Sequence, residues 1–253
     1  MTSHALDEAR ERLRPHVERA RDFSGWMNFP STKLVGQELP WSYSQRVREL
    51  LADAASVLDM GTGGGERFAT YVQGFTGRVV ATEEWPPNVP IASERLRSLG
   101  AQVVHSRSLV MPFAGASFDL VLNRHEELEP AEVARVLRPG GSVLTQQVEG
   151  DNWTELRPFF PRKTDFGDHF ARYCDEFEEH GLTVRHAQEF DRIIAYESLG
   201  DLVFMLCITP WTIPDFDPLG ADLPALLEAE RRLSKPDGIV VTEGRYMVEA
   251  RKP

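Results

Sequence analysis

The chain has 253 residues, enough for one large α/β domain with additions and a sizeable core. Its 28 basic residues against 39 acidic ones leave a formal net charge of -11, which argues against a binder of phosphate backbones. Two cysteines, Cys174 and Cys207, stand far apart without metal-ligand spacing, so neither a disulfide framework nor a zinc site is signalled.

In chain order, the start MTSHALDEARERLRPHVERA is charged and has no apolar signal core, and residues 5–22 predict a polar helix interrupted or begun at Pro15. The stretch from Phe23 to Tyr43 holds Trp26, Phe29, Trp41 and Tyr43 and predicts a surface arm with buried anchors. Helices are then predicted over 44–53, 65–73, 88–99 and 130–137, alternating with strands over 55–60, 78–83, 101–105, 118–123 and 142–148. The order implies a doubly wound α/β fold, and the near-continuous apolar strands fit a parallel sheet covered on both faces. Further on, 170–180 predicts a helix stopped at Gly181, 182–198 one or two strands, and 200–208 and 222–234 helices. The end, GIVVTEGRYMVEARK, predicts two short strands turning about Glu243 and Gly244. The most apolar late run, Leu202 to Ile208, is too short to span a bilayer, so the expectation is a cytoplasmic protein with no membrane partner. Three regions result within one integrated domain: an N-terminal helical arm or lid over 1–43, a ligand-binding core over 44–150, and over 151–253 the completion of the sheet with a helical cap.

The most informative stretch is SVLDMGTGGGERF, residues 56–68, where four glycines in five residues follow a buried-looking strand. Such a loop turns sharply and lets a ligand approach the backbone. Gly61 and Gly63 fit the dinucleotide pattern Gly-x-Gly-x-x-Gly, but position 66 is Glu. Carboxylates at Asp59 and Glu66 oppose a pyrophosphate, and no Gly-Lys-Ser/Thr follows, which excludes a P-loop. The loop therefore suits a nucleoside ligand without phosphate, preferably cationic. Glu83 ends the next strand, placed to accept hydrogen bonds from ribose hydroxyls.

The set VLDMGTGGG, VVATE, MPFAGASFDLVLN and EVARVLRPGGSVL resembles class I S-adenosylmethionine-dependent methyltransferases over roughly residues 44–150. The resemblance implies a Rossmann-like seven-stranded, mostly parallel sheet with an antiparallel terminal hairpin, and S-adenosylmethionine as cofactor. It implies that the backbone at Asp59, Gly61, Thr62 and Gly63 passes the methionine part, that Glu83 holds the ribose, and that Glu84 and Trp85 lie near the adenine. Arg107 and Ser108 fall where the family often has an acidic residue at the adenine amine, and Asn123 is implied to face the methionine side.

The family's acceptor usually lies beside the loop after the fourth strand, here NRHEELEP. His125 can accept a proton near neutrality, and Glu126 can orient or polarise it, so the two are the candidate catalytic pair. A polar loop that only caps the next helix is the plainer alternative, and Arg124 is as suited to a surface acid as to an acidic acceptor. Asp119 reads as a strand-start residue. The tripeptide Pro86-Pro87-Asn88 is misplaced for the Asn/Asp-Pro-Pro-aromatic motif of amine methyltransferases. The aromatics of the arm, with Trp211 and Phe216, suit a satellite core or a lid over an apolar acceptor. The expected activity is methyl transfer to a small-molecule acceptor by in-line displacement. The alternatives are an RNA methyltransferase, since the central region is similar to ribosomal RNA guanine methyltransferases, and a cofactor-binding regulator without turnover.

Overall fold

The computed structural model describes residues 3–24 and 29–253, and Trp26 of the arm lies outside them. The elements are α1 (Ser3–Arg21), β1 (Thr32–Leu34), α2 (Tyr43–Ala52), β2 (Ser56–Met60), α3 (Glu66–Tyr71), β3 (Arg78–Glu83), α4 (Asn88–Arg97) and β4 (Gln102–His105). They continue with β5 (Phe118–Arg124), α5 (Pro130–Val136), β6 (Leu137–Val148), α6 (His169–Glu179), β7 (Thr183–Tyr196), α7 (Leu199–Ile208), α8 (Leu223–Leu233), β8 (Ser234–Lys235) and β9 (Gly238–Arg251).

All strands join one sheet in the order β1-β7-β9-β6-β5-β2-β3-β4, with β8 attached to β9. Pairing is parallel from β4 through β3, β2 and β5 to β6, and β9 runs antiparallel to both β6 and β7. Seven strands make up the sheet that the sequence predicts, and the short β1 and β8 bring the total among the described residues to nine. The fold is thus a Rossmann-like α/β sheet with helices on both faces.

One expectation fails at the C-terminus. Residues 238–251 do not turn at Glu243-Gly244 but form one uninterrupted strand, with Gly244 opposite Asp191 of β7. The antiparallel terminal pair is β7 with β9, each 14 residues long. Gly244 serves close packing, because a Cβ there would lie 2.8 Å from the Cβ of Glu149. Helix α1 likewise runs through Pro15. An interior proline costs about 3 kcal/mol. The stripe Ala9, Leu13 and Val17 is buried at four-residue spacing against the cap, and burying a Leu and a Val contributes about 1.5–3 kcal/mol each, which offsets that cost.

Period-2 alternation sends Val57 and Val79 to one face, under α2, α3 and α4, and Leu58 and Val80 to the other, under α5 and α6. Both faces are covered, which is why the strands are apolar throughout. A third core gathers α1, α7 and α8 over Ile194, Tyr196, Ile239 and Val241. Its position follows from register. Strand β6 ends at Val148 opposite Arg245, so β9 before Arg245 and the paired end of β7 overhang the carboxyl edge of the parallel strands. The helical cap therefore sits on the side where the loops after β2 and β5 open. Among the described residues no helix is long and apolar enough to cross a membrane.

Candidate active site at the sheet switch point

From β2 the chain steps to β3 on one side, while β5 lies on the other, so the loops after β2 and β5 open together at the switch point. In the first loop Gly61, Gly63 and Gly65 have φ of 62°, 62° and 78°, the left-handed region that glycine adopts freely. A Cβ on Gly61 would run into the side chain of Glu126, so the loop after β5 packs directly on this glycine.

Glu83 ties the loop to β3. One of its oxygens accepts from the Gly63 N–H at 2.6 Å and the other from the Trp85 N–H at 2.8 Å. The Asn88 side chain and the Glu84 N–H also hydrogen-bond this carboxylate, so it is held firmly at the end of β3. Thr62 N–H donates to the Thr82 carbonyl at 2.9 Å, completing the turn. Glu84 points away to Arg107, whose Nε lies at 2.9 Å, and Trp85 is half exposed beside it. Ser108 is buried and its hydroxyl engages Glu126.

Three acids around this loop, Asp59, Glu126 and Glu83, are held above their ordinary range. Burial pushes the Asp59 carboxyl up to about 7, with the charge of Glu83 adding to it and Thr62 and Arg124 opposing. Burial also raises Glu126 to about 7, assisted by the charges of Glu83 and Glu84. Burial raises Glu83 as well, against its backbone hydrogen bonds. Carboxylates in this state gain by the arrival of a cation.

Asn123 forms the buried floor. Its Oδ1 accepts from Thr145 Oγ1 at 2.9 Å and from the Gln147 amide, which fixes the side chain, and its Nδ2 is buried without a partner. That orphaned donor, the glycine cradle and the Glu83 carboxylate at its edge fit a nucleoside amino acid.

His125 has φ 62° and its N–H donates to the Gln146 carbonyl at 2.9 Å. Trp41 Nε1 donates to Gln146 Oε1 at 2.9 Å, so the other end of that amide is a donor and meets His125 Nε2 at 3.4 Å. The relay leaves the proton on Nδ1. The residue is exposed, yet crowding of the ring by neighbouring protein atoms, with the charges of Arg124, Arg245, Arg67 and Arg192, holds its pKa well below the usual value. Both effects favour the neutral ring. Among the described residues no hydrogen bond joins Glu126 to the ring. Gln146 orients the imidazole where the sequence suggests Glu126, which turns instead to Gly61 and Ser108.

Gln146 and Gln147 escape the sequence reading, although two adjacent amides in the apolar strand SVLTQQV are a readable signal of a polar strand end. Asp119 behaves as a strand-start residue, accepting from Ser56 Oγ at 2.6 Å and pairing with Arg138 at 3.2 Å. Cys174 and Cys207 are free and half-buried. Among the described residues no group of acids, histidines and cysteines could hold a metal. Beyond the end of β6 lies a cavity of about 680 Å³ walled by six carboxylates, Glu149 and Asp191 among them, and by Arg245.

Residues 58–145 match the family model described as a methyltransferase domain. No curated protein sequence matches the chain. Among solved structures, a functionally unknown protein from Deinococcus radiodurans is 15% identical with a TM-score of 0.63, covering 97% of this chain and 100% of its own. The 4+2 cyclase SpnF is 15% identical with a TM-score of 0.55, covering 95% and 92%. A geranyl diphosphate methyltransferase in complex with S-adenosylmethionine is 16% identical with a TM-score of 0.51, covering 83% and 85%. The match over 58–145 and these neighbours together show the fold of the class I S-adenosylmethionine-dependent methyltransferases.

Proposed function

We propose that the protein binds S-adenosylmethionine at the loop 61–65 and transfers its methyl group to a small-molecule acceptor seated between the loop after β5 and the helical cap. The observation that carries this reading is Glu83, whose carboxylate is fixed by the Gly63 and Trp85 N–H groups beside the glycine loop, where it would exchange some of its contacts for ribose hydroxyls. Asp59, Gly61, Thr62 and Gly63 would flank the methionine part, and the amide of Asn123 would donate to it. Glu84, Trp85 and Ser108 would line the adenine end. The cofactor supplies an electrophilic methyl on a sulfonium. The chain's own contribution is alignment of the acceptor and exclusion of water by the overhanging cap. Where the acceptor must lose a proton, His125 takes it at Nε2, exchanging the long contact with Gln146 for the new bond, and Glu126 acts through the cofactor side of the crevice. The net charge of -11 supports a small molecule over nucleic acid as partner. A neighbour named a cyclase shares the fold, so binding and methyl transfer need separate assays.

The test is a calorimetric comparison of S-adenosylmethionine, NAD and ATP, followed by transfer of labelled methyl to a panel of small acceptors. Preference for NAD or ATP would overturn the cofactor. For an accepted substrate that must be deprotonated, His125→Ala is expected to slow turnover about 100-fold at unchanged cofactor affinity. Loss of thermal stability with an unchanged rate would make His125 a packing residue.

A further inference from the structure

Four arginines act on His125, and they are not equivalent. Arg245 and Arg192 share one carboxylate, since Glu243 pairs with Arg245 at 2.6 Å and with Arg192 in direct contact. Arg245 is also the cation in the wall of the acidic cavity beyond β6. Arg124, at the end of β5, and Arg67, in the first turn of α3, have no carboxylate within ion-pair distance among the described residues. Arg124 is half-buried, and burial with the charge of Arg67 lowers its pKa. Arg124 acts on the Asp59 carboxyl, which burial nevertheless pushes up to about 7, and the two form no ion pair. A desolvated guanidinium with no partner is costly, and its fork of N–H groups matches a carboxylate or phosphate. The relay from Trp41 through Gln146 adds a third donor, because it leaves His125 carrying its proton on Nδ1.

We infer that Arg124, Arg67 and the Nδ1–H of His125 form a seat for an oxyanion, a carboxylate or phosphate group carried by the methyl acceptor. This deepens the reading of the site as a methyltransferase and rests on it. The crevice is then divided, with acids toward the cofactor and cations toward the acceptor. An anion in the seat also raises the basicity of His125, so the proper acceptor improves the group that deprotonates it.

Inorganic phosphate is the probe, titrated at constant ionic strength into the full chain saturated with S-adenosylhomocysteine, with the His125 ring followed by NMR. Phosphate is expected to bind in the millimolar range and to raise the His125 pKa. In the Arg67→Gln/Arg124→Gln double variant phosphate affinity is expected to fall at least tenfold, while S-adenosylhomocysteine affinity stays within twofold. Arg67→Gln alone changes an exposed residue and is expected to weaken phosphate about threefold, so a misfolded double variant still leaves a reading. Phosphate binding that ignores both variants overturns the inference. So does a tenfold loss of S-adenosylhomocysteine affinity in the double variant, which would assign the guanidinium groups to the cofactor's own carboxylate. If the wild type does not bind S-adenosylhomocysteine at all, the methyltransferase reading falls, and the same phosphate titration of the free protein decides the seat by itself.

Discussion

The two walls of the crevice solve opposite electrostatic problems. The wall made by the ends of β2 and β3 gathers Asp59 and Glu83 with Glu126 laid over Gly61, and two of these carboxyls sit near pH 7. The wall made by β5, α3 and β9 gathers guanidinium groups around a neutral imidazole. Neither wall is satisfied by the other, although Arg124 and Asp59 feel each other's charge. A site that keeps unlike charges apart is arranged for a ligand that is cationic at one end and meets an anionic neighbour at the other.

The largest expected effect tests how the walls meet. Gly61→Ala adds a left-handed side chain, a strain of about 1–3 kcal/mol, and a clash with Glu126 of similar size. Thermal unfolding should show a loss of several degrees and calorimetry a loss of cofactor affinity. Adding Glu126→Gly should recover part of the stability, since the clash partner is gone; strictly additive losses would show that the two loops do not touch. Next comes Glu83→Ala, which is expected to weaken S-adenosylmethionine binding by about 1.5–3 kcal/mol, the range for hydrogen bonds to a charged group. An unchanged dissociation constant in a folded variant would remove Glu83 from the site.

The acid wall also predicts a pH dependence. Asp59 and Glu126 have folded-state pKa values raised above their unfolded ones, so the unfolded chain binds fewer protons between about pH 4 and 7. Their contribution to stability is therefore lost as pH rises through that window and is constant above it. Denaturant unfolding of Asp59→Asn should show a shallower decline over the same range, and a parallel curve would sink the assignment. The smallest effect is expected at the rim, where Arg107→Ala breaks an exposed pair with Glu84 and should change stability by less than about 0.5 kcal/mol.

Legibility followed how local the determinants are. Strand β3 falls on its predicted residues, 78–83, because an apolar run bounded by a glycine and two acids fixes it locally. The glycine loop and Glu83 were legible by spacing, and the structure joins them through the Gly63 N–H. Gly244 was misread as a turn because its cause is distant in sequence: the side chain of Glu149 needs the space. The partner of His125 was misassigned for a similar reason. Adjacent Glu126 is the obvious choice in one dimension, whereas β6 pairing brings Gln146 alongside, and Trp41 from the arm decides which end of its amide faces the ring. The contrast among the arginines was equally hidden, since it depends on Glu243 of β9 reaching two of them.

The most direct test of the acid wall as a cation-binding cofactor site is calorimetry of S-adenosylhomocysteine binding at pH 7 in two buffers of different ionisation enthalpy. With Asp59 and Glu126 each about half protonated in the free protein, binding of the ligand's ammonium group should release protons, up to about one per ligand, and affinity should rise from pH 6 to pH 8. Proton uptake, affinity that falls with rising pH, or no binding at all would contradict the account.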